Sequence, residues 1–177
     1  MNYAIELYFD DESSRRIDTI RHLLESNNVT VDIGTLPHIS LAGFTDVIDE
    51  NGLIGGITNF SKREMNLHLA LSSIGIFPTS ESVIFLAPKV TQQLLAFHRD
   101  FLQFMSKYST NLNIYYNDDL WVPHCTLGIH MSDDELINAI RLLKNNNDLP
   151  IPVTIKKIGI LTFQPNKQVF VTNFFNT

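Results

Sequence analysis

The sequence predicts an α+β protein built on a repeated plan. Three observations predict it. Segments of alternating apolar and polar residues interleave with segments whose apolar residues recur at helical spacing. Hydrophobic residues make up 44% of the 177-residue chain, with twelve Phe, which is ample for a buried core and argues against disorder. One short word occurs twice, each time opening a strand that follows a helix. A chain of this length forms one compact domain, or two small lobes sharing a core.

Residues 3–9 read as a strand, in which Ala4, Glu6 and Tyr8 alternate with Ile5, Leu7 and Phe9. Asp10 to Ser13 caps a helix whose apolar stripe is Ile17, Ile20, Leu23 and Leu24, ending near Asn27-Asn28. Residues 38–44 read as a second strand. A weaker helix covers 49–63: Leu53, Ile54, Ile57 and Phe60 face one way, and Gly55-Gly56 weaken it. Residues 65–77 and 82–87 pair across Pro78-Thr79-Ser80. Thr91 starts a strong helix with Leu94, Leu95, Phe101, Leu102, Met105 and Tyr108 among its apolar residues. A strand follows at 124–130. Ser132 and Glu135 form a capping-box pattern ahead of Leu136, Ile137, Ile140 and Leu143, and Asn145-Asn146-Asn147 stops that helix. Strands at about 153–162 and 168–175 flank a turn at Pro165-Asn166. No stretch reads as a linker or a low-complexity tract.

The formal net charge of −6 leaves no broad basic surface for non-specific duplex DNA binding. A small anion or a short RNA end fits if positive charge is concentrated locally. Cys125 is the one cysteine, which excludes an intramolecular disulfide and a multi-cysteine metal site. The start MNYAIELYFDDESS has no basic leader with an apolar segment behind it, and no uncharged apolar run reaches the length of a membrane span. The expectation is a soluble cytoplasmic protein.

The repeated word is Pro37-His38-Ile39-Ser40-Leu41 and again Pro123-His124-Cys125-Thr126-Leu127, 86 residues on. At ordinary residue frequencies a single copy arises in roughly one such chain in several hundred. Proline fixes its own φ, extends the residue before it, and is tolerated at the start of a strand. Strand side chains alternate faces. His38 and Ser40 therefore share a face, as do His124 and Thr126, while Ile39, Leu41, Cys125 and Leu127 point into apolar packing. Each strand presents an imidazole beside a hydroxyl.

That pairing suits cleavage of a phosphate ester. Displacement at phosphorus needs a proton taken from the attacking oxygen and a proton given to the leaving one. Histidine titrates near neutrality, so one neutral and one protonated ring coexist at working pH. Ser and Thr hydroxyls donate to non-bridging phosphate oxygens. Two words facing across a cleft bracket one phosphate, and no metal or other cofactor is required. A single strand histidine is more often structural than catalytic; the duplicated word, with the same neighbours and facing, reverses that balance.

These words resemble the signature of the two-histidine (2H) phosphoesterase superfamily, which includes the 2′-5′ RNA ligase-like proteins: a pair of His-x-Ser/Thr words flanked by apolar residues. Gly75-Ile76-Phe77-Pro78 and Val83 to Pro88 resemble the family's middle hairpin, and Trp121 to Leu136 resembles a bacterial branch. The resemblance implies a two-lobed α+β fold over residues 1–177, a single bilobal domain in which antiparallel sheets face a central cleft with helices outside. It implies catalytic roles for His38 and His124 and phosphate binding by Ser40 and Thr126. Members typically open 2′,3′-cyclic phosphates to 2′-phosphates or act on related RNA phosphodiesters. The implied partner is a nucleotide or short RNA end, met by a monomer with no membrane involved. Some members place an arginine shortly after a motif; here Ala42-Gly43 and Gly128 with His130 stand there instead, which weakens the case for long RNA.

The expected reaction is in-line hydrolysis of a phosphodiester, a 2′,3′-cyclic phosphate above all, with the sequence silent on which histidine is acid and which base. Reversal would join a 5′-hydroxyl to a cyclic phosphate, a 2′-5′ ligation. Two rival readings are a catalytically silent binding module for a cyclic nucleotide or phosphorylated RNA end, and a metal site using His124, His130 and another histidine. Among other residues, His130 lies on the His124 face if its strand stays regular. Phe44, Phe77 and Tyr115-Tyr116 are placed to stack on a base, with core packing the more ordinary role. His68 faces solvent or the cleft; His22 and His98 read as surface or boundary residues on helices. Cys125 reads as a small core residue. Arg15-Arg16, Lys62-Arg63 and Lys156-Lys157 are adjacent basic pairs, ordinarily solvated.

Overall fold

The computed structural model describes residues 2–32, 34–47, 49–63, 67–145, 148–163 and 166–175. In chain order these form strand β1 (Asn2–Phe9), helix α1 (Asp11–Glu25), β2 (His38–Val47), α2 (Glu50–Ser61), β3 (His68–Phe77), β4 (Ser82–Pro88), α3 (Gln92–Met105), β5 (Ser109–Leu112), β6 (Cys125–Met131), α4 (Asp133–Asn145), β7 (Ile151–Phe163) and β8 (Lys167–Asn173). Every strand pair is antiparallel.

Strand β7 is the seam between two lobes. Its 13 residues are long enough to serve both. Ile151 to Thr154 pair with β3, while the remainder pairs with β1 on one edge and β8 on the other. One lobe is therefore β5-β2-β1-β7-β8 and the other β7-β3-β4-β6. Helices α2 and α3 pack behind the first sheet, and α1 and α4 behind the second. Each half of the chain thus lends a helix to the opposite lobe: α1 leaves β1 for β6, and α3 leaves β4 for β2. The sheets face a central cleft with the helices outside.

The caps read from the sequence are made. Asp10 accepts from Ser13 N at 2.9 Å and Thr91 from Leu94 N at 3.2 Å. Ser132 and Glu135 satisfy each other's backbone N–H groups, at 2.8 and 3.3 Å, the reciprocal bonding of a capping box. The glycine pair that weakened α2 as a helix has a packing reason. A Cβ on Gly56 would stand 2.8 Å from the Tyr108 ring, so the glycine lets that ring lie on the helix.

The structure adds β5 and a single 3₁₀ turn, Ile114–Tyr116. Neither shows hydrophobic periodicity; β5 exists because the far end of β2 offers it an edge, Phe44 opposite Leu112. The last two strands begin slightly earlier than their apolar patterns suggest. Pro165, Asn146 and Asn147 lie outside the described residues. Placing His98 at the surface or boundary is corrected: it is 1% exposed. Its ring stacks on Trp121 at 3.8 Å and 6°, and Nε2 hydrogen-bonds Leu41 O at 3.0 Å. Burial holds it below the usual histidine range, against that carbonyl and Asp118. A stacked indole and one carbonyl partner make burial of the neutral ring tolerable, and neither shows in a helical pattern. Cys125 is wholly buried, and burial pushes its thiol up to about 12, which leaves it inert. Among the described residues no helix is long and apolar enough to cross a membrane.

Candidate functional site

The two words build the same local device. In each, the proline extends the chain so that the carbonyl two residues before the histidine turns back onto the ring. His38 Nδ1 lies 2.7 Å from Leu36 O, and His124 Nδ1 lies 2.7 Å from Val122 O. A carbonyl only accepts, so each Nδ1 carries a hydrogen, and Nε2 is the atom free to gain or lose a proton.

Carbonyls at equivalent places in the two words are held from outside. Trp121 Nε1 donates to Ser40 O at 3.0 Å, and Arg21 Nη2 donates to Thr126 O at 2.7 Å. One residue on, His98 meets Leu41 O and the backbone N–H of Asp32 meets Leu127 O at 3.1 Å. Arg21 also donates to Thr35 O at 2.9 Å and lies 3.5 Å from Asp32. It therefore ties the lead-in of the first word to the strand of the second. The buried sulfur of Cys125 lies against the His38 backbone N–H, so the two words touch across the lobes.

Strand register places Ser40 beside Glu6 and Glu6 beside Gly159. In the other lobe it places Thr126 beside Phe85 and Phe85 beside Gly75. Glu6 and Phe85 thus occupy matching positions in the two sheets, and here the duplication has diverged.

Glu6 is 1% exposed. Its Oε1 lies 3.4 Å from His38 Nε2, and its Oε2 accepts from the Tyr8 hydroxyl at 2.6 Å. Burial, then the Glu6 charge, pushes the Tyr8 phenol far above its usual range, which keeps it a donor. Tyr8 is edge-on to the His38 ring at 6.3 Å and lies 2.9 Å from Gln168 Oε1. A Cβ on Gly159 would stand 2.8 Å from the Tyr8 ring and 2.9 Å from Gln168 Nε2, so this glycine makes room for both.

The surroundings of His124 are apolar. Its ring meets Phe77 at 4.9 Å and Phe85 at 5.1 Å. A Cβ on Gly75 would stand 2.2 Å from the Phe85 ring; the glycine makes room for that ring, which meets His124 at a tilt of 55°. Burial holds the His124 imidazole below the usual histidine range, the Val122 carbonyl opposing and the His38 charge adding.

Ser40 hydrogen-bonds the Tyr116 phenol, which burial pushes up, and Thr126 is half-buried. Phe77 stands at the His124 ring, whereas Phe44 is buried in the core opposite Tyr3. β6 does not stay regular: pairing shifts at Ile84, and His130 has φ 54. His130 is exposed and paired with Glu81. His68 is exposed, 3.0 Å from Thr154 Oγ1; His22 and Tyr115 are exposed too. Arg63 stacks over Phe60 and Phe104. Among the described residues no three His, Cys, Asp or Glu side chains gather as a metal site requires. Glu6, Tyr8, Phe85, Arg21, Trp121 and Gln168 were not singled out by the sequence. Glu6 alone left a trace, a carboxylate inside an otherwise apolar strand.

A model of the 2′-5′ RNA ligase superfamily matches residues 9–166. Among solved structures, LigT of E. coli in complex with 3′-AMP superposes with a TM-score of 0.63 at 11% identity, over 98% of this chain and 96% of that one. TT0787 of Thermus thermophilus gives 0.62 at 10% identity, over 98% of each chain. Usb1 of Kluyveromyces marxianus gives 0.52 at 12%, over 95% of this chain and 97% of its own. At these identities the likeness is one of fold. Among curated proteins no sequence matches this chain.

Proposed function

The chain belongs to the 2′-5′ RNA ligase superfamily, and on that premise we propose that it is a metal-independent phosphodiesterase in which His38 is the general acid and His124 the general base. Membership supports an activity of the phosphoesterase or RNA-ligase type. The finer assignment rests on one observation, the carboxylate of Glu6 in one lobe where the other has Phe85. Glu6 Oε1 lies 3.4 Å from His38 Nε2, so an acceptor faces the proton that this nitrogen would deliver. His124, enclosed by Phe77 and Phe85, is kept neutral by burial. The pair is thereby set apart into a proton donor and a proton acceptor.

In the proposed reaction His124 Nε2 takes a proton from water as its oxygen attacks phosphorus. The opposite P–O bond breaks, and His38 Nε2–H protonates the departing oxygen. Ser40 and Thr126 hydroxyls hold the non-bridging oxygens. The substrate is a 2′,3′-cyclic phosphate of a nucleotide or RNA end, opened to the 2′-phosphate. E. coli LigT has been crystallised with 3′-AMP, ATP and NADP+, which favours a nucleotide. With a ribose 5′-hydroxyl in place of water as the nucleophile, the same two transfers in the same direction break the bond to the 3′-oxygen and form a 2′-5′ linkage.

The test is product analysis of 2′,3′-cyclic nucleotides and a short RNA with a cyclic end, incubated with chelator-treated protein. Opening to 2′-phosphates is expected. Tight binding without turnover would make the protein a binding module, and activity restored only by added metal would make it a metalloenzyme.

The pH profile follows from the assignment. His124 must be neutral, and its pKa is lowered, so the acidic limb is expected below the ordinary histidine value of about 6.5. The kcat/KM profile checks this, with its limbs read as properties of the pair; an acidic limb at or above that value would remove the base role given to His124. Glu6→Gln keeps the shape of the side chain and removes the carboxylate that faces His38 Nε2, and it is expected to lower kcat/KM on the cyclic phosphate by about tenfold or more. Wild-type kcat/KM in the variant would discard the role given to Glu6.

A further inference from the structure

We infer that the cavity beside His38 is the subsite for the nucleoside that carries the leaving oxygen, and that the substrate enters with its organic part on that side only. The inference rests on the acid role given to His38. The cavity has a volume of about 330 Å³ and opens between the face of β1, the stretch 34–36 and the ends of β7 and β8, at the lower end of the sizes that hold small ligands. Glu6 and Tyr8, the two groups next to His38, form part of its wall. A leaving oxygen at His38 Nε2 therefore has its substituent at the cavity mouth.

The lining suits a flat, amphipathic group. Leu36, Leu161 and Val171 supply apolar surface, and two of them are left well exposed, Leu36 at 61% and Val171 at 45%. Thr35, Asn166 and Lys157 supply polar groups. Lys157 is the one cation in the lining and has no ion pair among the described residues. Register places His38, Tyr8 and Lys157 in one row across β2, β1 and β7. Two strand spacings separate the first from the last, about 10 Å, comparable with the reach of a nucleoside from its ribose oxygen to the far edge of its base. Lys157 then donates to an acceptor atom of the base.

The ground around His124 differs. Phe77 and Phe85 rings close on the imidazole there, so the attacking side is aromatic and narrow where the leaving side is open. That favours water as the nucleophile, and a terminal nucleotide over the interior of a polynucleotide.

The test compares uridine 2′,3′-cyclic phosphate with glycerol 1,2-cyclic phosphate, which keeps the strained ring and lacks the base. Val171→Trp fills the cavity from an exposed position on β8, where an aromatic residue suits a strand. The wild-type kcat/KM ratio is expected to favour the nucleotide by about tenfold or more, and Val171→Trp and Lys157→Met to lower that ratio, the first by roughly tenfold. A ratio near one, or one that neither variant moves, overturns the subsite. Calorimetric binding of uridine 2′-monophosphate to the same proteins separates this from failure of the catalytic reading. If neither ester is opened, the phosphodiesterase reading falls. Product binding weakened by Val171→Trp would still sustain the subsite, and binding absent or indifferent to it would remove the subsite as well.

Discussion

His38→Ala and His124→Ala are each expected to lower the rate of cyclic phosphate opening by about a hundred- to ten-thousand-fold. Folding should survive both. The His124 ring is fastened by one hydrogen bond to a nearby carbonyl, and loss of such a bond removes only about 1 kcal/mol of stability; His38 has the same bond and also faces the Glu6 carboxylate, which keeps the Tyr8 hydroxyl as its donor when the ring is gone. The double variant should be little worse than the poorer single one, because two groups that pass protons through one displacement act as a unit. The singles differ in a way that tests the acid assignment. An aryl phosphodiester leaves as a weakly basic phenolate and needs no proton. On that substrate His38→Ala should recover much of its loss, and His124→Ala should not, since water must still be deprotonated. Rescue in His124→Ala instead would exchange the roles, and wild-type rates in both singles would remove the two-histidine mechanism.

How much of this was legible in the sequence follows from which interactions are local. The helices and strands other than β5 came from residues within a few positions of one another: the alternation of Ile5, Leu7 and Phe9, the stripe of α1, and the caps at Asp10, Thr91 and Ser132. The duplicated word was legible because it is contiguous. The asymmetry between the two lobes was not. Glu6 stands next to Ser40 only through strand pairing across 34 residues of chain, and on a strand read alone it looks like a solvent-facing position. The same holds for β5, which has no pattern of its own, and for His98, whose helix position says nothing of the Trp121 ring waiting for it. Regularity was the other limit. The expectation that His130 shares a face with His124 assumed unbroken alternation, and the shifts at Ile84 break it.

Arg21→Ala carries the largest expected loss of stability, about 3–5 kcal/mol, the range for removing one partner of a buried charged contact. Arg21 is 6% exposed and joins two stretches far apart in sequence, Thr35 O at 2.9 Å with Asp32 at 3.5 Å in one and Thr126 O at 2.7 Å in the other, besides Asp18 at 3.7 Å on its own helix. Truncation leaves two inward carbonyls without their donor and the Asp32 carboxylate, 12% exposed, without its cation. Asp32 also accepts from the Thr35 hydroxyl at 2.6 Å, so the stretch leading into the first word loosens together with the strand of the second. Arg21→Lys should recover only part of the loss, because a single ammonium cannot span carbonyls that the guanidinium fork reaches at once. Trp121→Phe supplies the comparison on the other word. It keeps a ring to stack on His98 and removes only the bond to Ser40 O, a loss of about 1 kcal/mol. Urea unfolding of the four proteins checks the order wild type, Trp121→Phe, Arg21→Lys, Arg21→Ala, with activity measured below each transition. If Arg21→Ala unfolds within about 1 kcal/mol of wild type, the carbonyls and Asp32 are reaching water, and the clasp between the two words is not what holds the histidines together.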